Sequence, residues 1–368
     1  MLSSCLRAAA GRLSPALLAA GSFAVAAGAA PPPPPGDAGE YEYQVRRGDT
    51  LVRIGRLYLR RPGDYREVQA INLVPNPYRL TPGATLRIPL RLARVQPIAA
   101  RVTAFRGAVT LDGRRPVRVG TLLRERARVR TGGSSSVSFV LPDRSTVTLP
   151  SSSVIRIVRL RRVPLSGAVE RSFALEAGSS EAQVRPGRSG RDRFEIRTPV
   201  SVAAVRGTTF RVALLDGGAA ATTSVVEGRV GVVATDGETG VPAGFGVRSD
   251  ASGSSGPVAL LAAPAFVPLA RFRTDGTQLF ALRPVRGAVR YRLRVSTDSR
   301  FGDLRADVRQ SAPDFALPPV RMGSYFVRAT AIDANDIEGL PTTYRYTYRG
   351  PTEAALEARA PSMRLAAR

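Results

Sequence analysis

The run Phe194-x-Ile196-Arg197-Thr198-Pro199, then Ala204-Val205-Arg206-Gly207-Thr208-Thr209-Phe210-x-Val212, then Ser224-Val225-Val226-Glu227-Gly228-x-Val230-x-Val232 decides the fold. Apolar and polar residues alternate along it with the period of two that a half-buried strand needs. Val and Thr dominate, and their branched side chains suit a pleated surface. Gly207 fits a bulge or a close backbone approach, Phe210 belongs to the core, and Arg206 has the charge to pair with an acid. Upstream, Val137-Ser138-Phe139-Val140-Leu141, a turn at Pro142-Asp143 and Ser145-Thr146-Val147-Thr148-Leu149 read as a hairpin, and Val154-Ile155-Arg156-Ile157-Val158 continues the sheet. Asp112-Gly113, Asp216-Gly217 and Asp236-Gly237 are hairpin turns. Gly107-x-Val109-x-Leu111-Asp112-Gly113 faintly echoes Gly228-x-Val230-x-Val232, so similar β-units stack or wrap together. Residues 100–249 therefore read as one all-β domain.

Outside that domain the pattern changes on both sides. Ser249 to Pro257 is rich in Ser and Gly, which places a linker over 250–263 ahead of a second β-rich unit at 264–349. In that unit Ala288 to Val295 alternates strictly. Before the central domain, Tyr41, Tyr43 and Val45 form a strand with one apolar face, broken by Gly48-Asp49. Asp49 is placed to cap a helix carrying Leu51, Ile54 and Tyr58 on one stripe. A second helix starts at Asp64, with Glu67 completing a capping-box pattern and Tyr65, Val68 and Ile71 as its buried stripe. A proline-rich loop leads to a last strand at Leu86 to Ile88. Residues 40–92 thus read β-α-α-β, with Ile54, Val68, Ile71 and Leu86 in the core and Gly55 weakening the first helix by up to about 1 kcal/mol.

Three resemblances follow from these strings. Tyr43-x-Val45-x-x-Gly48-Asp49-Thr50-Leu51-x-x-Ile54, Asn72, and Leu80-x-Pro82-Gly83-x-x-Leu86-x-Ile88-Pro89 resemble a LysM domain. That resemblance implies binding of N-acetylglucosamine-containing glycan, usually peptidoglycan, in a shallow groove. Gly48, Asp49, Thr50 and Leu51 would line one side, and Asn76, Pro77, Tyr78, Arg79 and Leu80 the other. Turn amides and the apolar surface of Tyr78 and Leu80 suit amino-sugar faces; Asp49 as a helix cap and Tyr78 as a packing residue are the plainer alternatives. The Thr-Pro strand, the Val205-Arg206-Gly207-Thr208-x-Phe210 strand, the Glu227-Gly228-x-Val230 hairpin and the earlier Arg130-Thr131-Gly132 resemble a FecR-type periplasmic domain. Signalling members of that family relay a signal from an outer-membrane receptor to a sigma factor, but here no cytoplasmic anti-sigma segment or spanning helix precedes the domain, which favours protein contact or scaffolding. Leu317-Pro318 and Tyr325-Phe326-Val327-Arg328-Ala329 look like the fibronectin type III pattern, implying a β-sandwich in which Tyr325 makes a corner hydrogen bond. The expected fold class is multi-domain and mainly β.

Composition narrows the chemistry. The 368 residues contain no His, no Trp and a single Cys, Cys5, and all 54 basic residues are Arg. Ser-His-Asp triads, Cys-His pairs, catalytic lysines and His/Cys zinc sites are excluded. No cofactor, metal or catalytic residue is expected. The net charge of +25 favours anionic partners, although arginines scattered along strands equally fit a compositional bias, and they lack the clustering of a nucleic-acid footprint. Residues 1–29, with Arg7, Arg12 and an apolar Leu17–Ala29 stretch ending in Ala27-Gly28-Ala29, read as a secretory signal peptide, shorter than a bilayer span. Residues 30–39 are a proline-rich spacer and 350–368 a loose tail. The reading is an exported, non-catalytic periplasmic or cell-envelope protein that binds peptidoglycan, without a spanning segment in the mature chain, and that offers β domains to an envelope protein partner. The alternative is a sensor in a FecR-like signal relay; a wall-glycan hydrolase ranks third.

Overall fold

The computed structural model describes residues 39–348 apart from 188–190, 268–270 and 274. The expected signal peptide, the proline run and the tail lie outside the described residues. The chain is mainly β and forms several sheets.

Two ten-stranded sheets make the central part. Successive hairpins cross from one to the other, so both sheets grow along the same direction. One runs through Phe245–Asp250, Ala220–Glu227, Thr209–Leu215, Ser179–Gln183, Thr146–Leu149, Ser136–Val140 and Ala100–Arg106; the other through Gly237–Pro242, Arg229–Ala234, Val202–Val205, Arg193–Arg197, Ala168–Ala177, Val154–Val163 and Arg128–Thr131. Pairing is antiparallel except where Ala168–Ala177 meets Arg193–Arg197 in parallel. The alternation read from the sequence now has a cause, because the inner faces of both sheets fill one core. A row of rings crosses it: Phe139 to Phe173 at 6.1 Å, Phe173 to Phe194 at 5.4 Å and Phe194 to Phe210 at 6.2 Å. Each ring stabilises the fold by about 1.5–3 kcal/mol through burial, and each pair adds about 0.5–1.5 kcal/mol. Gly207, at φ 69°, lies where a Cβ would meet Pro186 at 2.9 Å, so the close approach expected there is a steric requirement.

The stretch expected as a linker over 250–263 holds two short strands. Gly253–Ser254 and Val258–Ala259 both pair with Phe245–Asp250. Ser249 and Ser254 hydroxyls meet at 2.8 Å, and Asp236 accepts from the Ser254 amide. Serines that look like linker composition are satisfying one another along an edge.

At the amino-terminal end β1 (Glu40–Gln44) pairs with β2 (Thr85–Pro89), and between them lie α1 (Leu51–Tyr58) and α2 (Tyr65–Ile71). Tyr43, Leu51, Ile54, Val68, Leu86 and Ile88 are buried together, whereas Ile71 is only half-buried. Val163 and Leu165, from the tip of the long central hairpin, complete this core. Asp64 does not cap α2 with its side chain; it accepts from the Arg61 amide, and Glu67 pairs with Arg91 instead of closing a capping box. Asn72 joins α2 to β2, donating to Val68 O and Arg87 O and accepting from the Arg87 amide.

In the carboxy-terminal part a three-stranded sheet (Arg271–Phe272, Gln278–Ala281, Asp314–Leu317) and a four-stranded sheet (Leu304–Gln310, Arg290–Ser296, Gly323–Ile332, Thr342–Tyr348) share a core of Phe280, Phe315, Leu293, Val295 and Val327. Tyr325 Oη donates to Arg321 O at 2.6 Å.

Gly55 tests the packing at α1. A Cβ there would sit 2.5 Å from Pro62 O and 3.1 Å from Tyr65 Cβ. Helix propensity alone favours Gly55→Ala by about 1 kcal/mol; the backbone contact predicts a loss of about 1–3 kcal/mol instead. Urea unfolding of Gly55→Ala should show the loss, and a gain would mean that the two helices separate freely.

Candidate functional site

The nine groove residues expected from the sequence fall on two loops that the structure brings together. The Leu51 amide donates to Pro77 O at 2.8 Å, joining the start of α1 to the loop before β2. The side chains then divide by role. Asp49 does not cap the helix: its Oδ2 accepts from Tyr43 Oη at 2.7 Å and from the Arg46 amide at 2.8 Å, closing the turn around Gly48. Burial and the Asp49 carboxylate push the Tyr43 phenol up from its ordinary value. Thr50 is the cap, accepting from the Arg53 amide at 3.1 Å. Leu51 is fully buried and belongs to the core, so it supplies only backbone to a groove. Across from it Asn76 Oδ1 accepts from the Tyr78 amide at 2.9 Å, which shapes the second loop. Leu80 packs on the core and Pro77 is half-buried, while Gly48, Asn76, Tyr78 and Arg79 are exposed. Tyr78 is 66% exposed, a cost in apolar hydration that no neighbour offsets. The amides of Asp49, Leu51, Tyr78 and Arg79 are spent within the loops, and what the pair presents outward is the Tyr78 ring beside Asn76 and Arg79.

A second, larger constellation was missed by sequence reasoning. Along Arg290–Ser296 the residues Tyr291, Leu293 and Val295 fill the carboxy-terminal core, so Arg292 and Arg294 point the other way. Alternation of this kind reads as a solvated face, but that face lies on the central sheet and both arginines are buried. Arg294 Nη1 donates to Glu181 Oε2 at 2.6 Å and Arg328 Nη1 to Glu181 Oε1 at 3.0 Å. Arg292 holds Asp307 with two bonds of 2.7 Å and reaches Glu338 Oε2 at 2.8 Å. Thr330 donates to Glu338 Oε1, and Arg211 Nη1 from the central sheet donates to Gly339 O at 3.0 Å. The Phe301 ring lies beneath Arg328 at 3.9 Å. Burial opposes ionisation of Glu181, but the guanidiniums of Arg294, Arg211 and Arg328 outweigh it and hold the carboxyl down at about 2. Glu338 is held well below its ordinary value by Arg292, Arg211 and Arg294 against the same burial. The one sequence signal was Glu181 itself, an acid inside a strand with buried neighbours in an acid-poor chain. Among the described residues no group of His, Cys, Asp and Glu is arranged to hold a metal, and no helix is long and apolar enough to cross a membrane.

A family model described as FecR protein matches residues 127–231. The chain therefore carries a FecR domain inside its central pair of sheets. No curated protein matches the sequence. Two crystal structures of a protein provisionally described as an anti-sigma factor from Parabacteroides distasonis are similar at TM-scores of 0.29 and 0.30, each 18% identical, over 36% of this chain and 60% of that one. The chain thus spans about three-fifths of the length of those proteins. A β-1,2-glucanase from the same organism is similar at a TM-score of 0.23, 14% identical, over 70% of this chain and 38% of that one.

The pH response follows from Glu181. Its folded pKa lies below the ordinary 4.5, so its contribution is complete above about pH 4.5 and is lost as the pH falls towards 2. Urea denaturation from pH 7 to pH 2 should show that decline, and Glu181→Gln should flatten it. Glu181→Ala at neutral pH, which leaves buried guanidiniums without their carboxylate, should cost about 3–5 kcal/mol.

Proposed function

We propose that this chain is a non-catalytic component of a FecR-like signal relay in the bacterial envelope, acting through protein contacts of its FecR domain. The match at residues 127–231 carries this reading, because FecR-type proteins are regulatory and work by touching other envelope proteins. The absence of His and Lys from the whole sequence agrees with a role without catalysis. In this reading residues 1–29 direct export, and the three-plus-four arrangement of carboxy-terminal strands with the Tyr325 bond supports a fibronectin type III-like sandwich serving as a spacer. Whole-cell crosslinking from the FecR domain should capture an envelope protein, and loss of the gene should abolish the transcriptional response that this partner triggers. An unchanged response would overturn the relay.

A second element rests on the exposed Tyr78 and the hydrogen bond that joins the two loops. The β-α-α-β unit resembles a LysM domain in its motif and element order, and it would hold the relay on peptidoglycan with Gly48, Asp49, Thr50, Asn76, Pro77, Tyr78 and Arg79 around the glycan and Leu51 and Leu80 supporting them from below. Because Val163 and Leu165 are part of this core, the test uses the full chain and not an isolated fragment. It should co-sediment with purified sacculi across a salt series, and Tyr78→Glu should release it. Retention that vanishes at moderate salt, or survives Tyr78→Glu, would reduce the attachment to arginine electrostatics.

A further inference from the structure

We propose that the seam between the central sheet and the four-stranded carboxy-terminal sheet is a binding site for a small oxyanion, a phosphate or carboxylate group, seated between Arg309 and the serine turns at Ser151–Ser152 and Ser179. This site is distant in sequence from the two loops proposed to hold glycan, and its serine wall belongs to the FecR domain.

The first ground is charge. Five guanidiniums, of Arg211, Arg292, Arg294, Arg309 and Arg328, meet three carboxylates, of Glu181, Asp307 and Glu338. The excess is two positive charges, beside the buried Arg211, Arg292 and Arg294, where a charge is felt more strongly than in water. The second ground is unused donors. Arg294 and Arg211 are 2% and 6% exposed, yet Arg294 Nη2 and Arg211 Nε make no hydrogen bond. The nearest carboxylate oxygens stand 3.8 Å from Arg294 Nη2 and 3.5 Å from Arg211 Nε. Both residues line a small cavity of about 30 Å³, enough for a water or two but not for a polyatomic anion.

A crevice of about 310 Å³ adjoins that cavity and shares Ser179, Arg292 and Arg309 with it. Arg309 stands there with its side chain 44% exposed. The carboxylate within its reach, Glu338 at 3.6 Å, already accepts from Arg292. Repulsion from Arg292, with burial, pushes the Arg309 guanidinium down to about 10. Asp307 also lines the crevice, but both of its oxygens are taken by Arg292. The opposite wall is the serine turns, with Ser152 at φ 54° and Gly178 at φ 70°. Ser151 Oγ already donates to Ser135 O, so an oxyanion here accepts from the planar Arg309 fork and from the Ser152 and Ser179 hydroxyls, and so bridges the two parts of the molecule.

Calorimetric titration of the full chain with inorganic phosphate, and separately with succinate, tests the site, with sodium chloride at matched ionic strength as the reference. Saturable binding of at least one probe is expected, and the stronger of the two identifies which oxyanion the seam prefers. Arg309→Gln should weaken it about tenfold or more, and Ser179→Ala should weaken it less. Thermal unfolding should show the ligand raising the midpoint of the natural sequence and not that of Arg309→Gln. Non-saturable heats with both probes, or equal affinity in Arg309→Gln, would overturn the proposal. Loss of the relay response or of sacculus retention would leave these titrations unchanged, so the readings fail separately.

Discussion

A carboxylate on a central strand, Glu181, accepts hydrogen bonds from guanidiniums 113 and 147 residues further along the chain, and the orientation of the carboxy-terminal sheets depends on that meeting. Buried ion pairs add little net stability, since desolvation of the charges opposes their attraction. Their influence lies in what they forbid. Any other docking of the four-stranded sheet would leave Arg292, Arg294 and Glu338 desolvated without partners, so the arrangement is selected by the penalty on its competitors. Arginine suits this role better than lysine because its planar fork serves two carboxylates at once and keeps its charge when buried. The arginine-only composition, which as a sequence feature read as coding bias or a solvated face, is here structural at these positions.

Much of the fold was legible. The alternation from Phe194 to Val232 and the Asp-Gly turns located the strands because period-two burial leaves a direct trace in sequence. The β-α-α-β order was legible through a different period, the helical spacing of Leu51 with Ile54 and of Tyr65 with Val68. Errors gathered where one residue type satisfies two local demands. Asp49 precedes a helix and was read as its cap, but the turn's own amide and the Tyr43 phenol take its oxygens first. Ser249 to Pro257 has linker composition, and its hydroxyls and Asp236 turn it into a sheet edge. The seam was illegible because a strand cannot announce whether its polar face meets water or another sheet. The nine groove residues named by resemblance fall on two loops joined by the Leu51–Pro77 hydrogen bond, with Gly48, Asn76, Tyr78 and Arg79 exposed and Leu51 buried.

Neither end of the central part behaves as a bead on a string. The amino-terminal core contains Val163 and Leu165, Leu261 packs on the carboxy-terminal core, and the expected linker is paired. The described parts are therefore joined by packed side chains and paired strands.

The hairpin that enters the amino-terminal core adds a mechanical consequence. Its strands Val154–Val163 and Ala168–Ala177 are ten residues each, about 33 Å long, and they lie between Arg128–Thr131 and Arg193–Arg197. A pull on the amino-terminal unit is shared between the chain that runs on through residues 93–99 to Ala100–Arg106 and, through Val163 and Leu165, the tip of this hairpin. Ladder bonds loaded along the strands resist as a group, in shear, whereas bonds peeled from one end break in turn. Packing at the tip thus places part of any such load on a ladder that resists in shear.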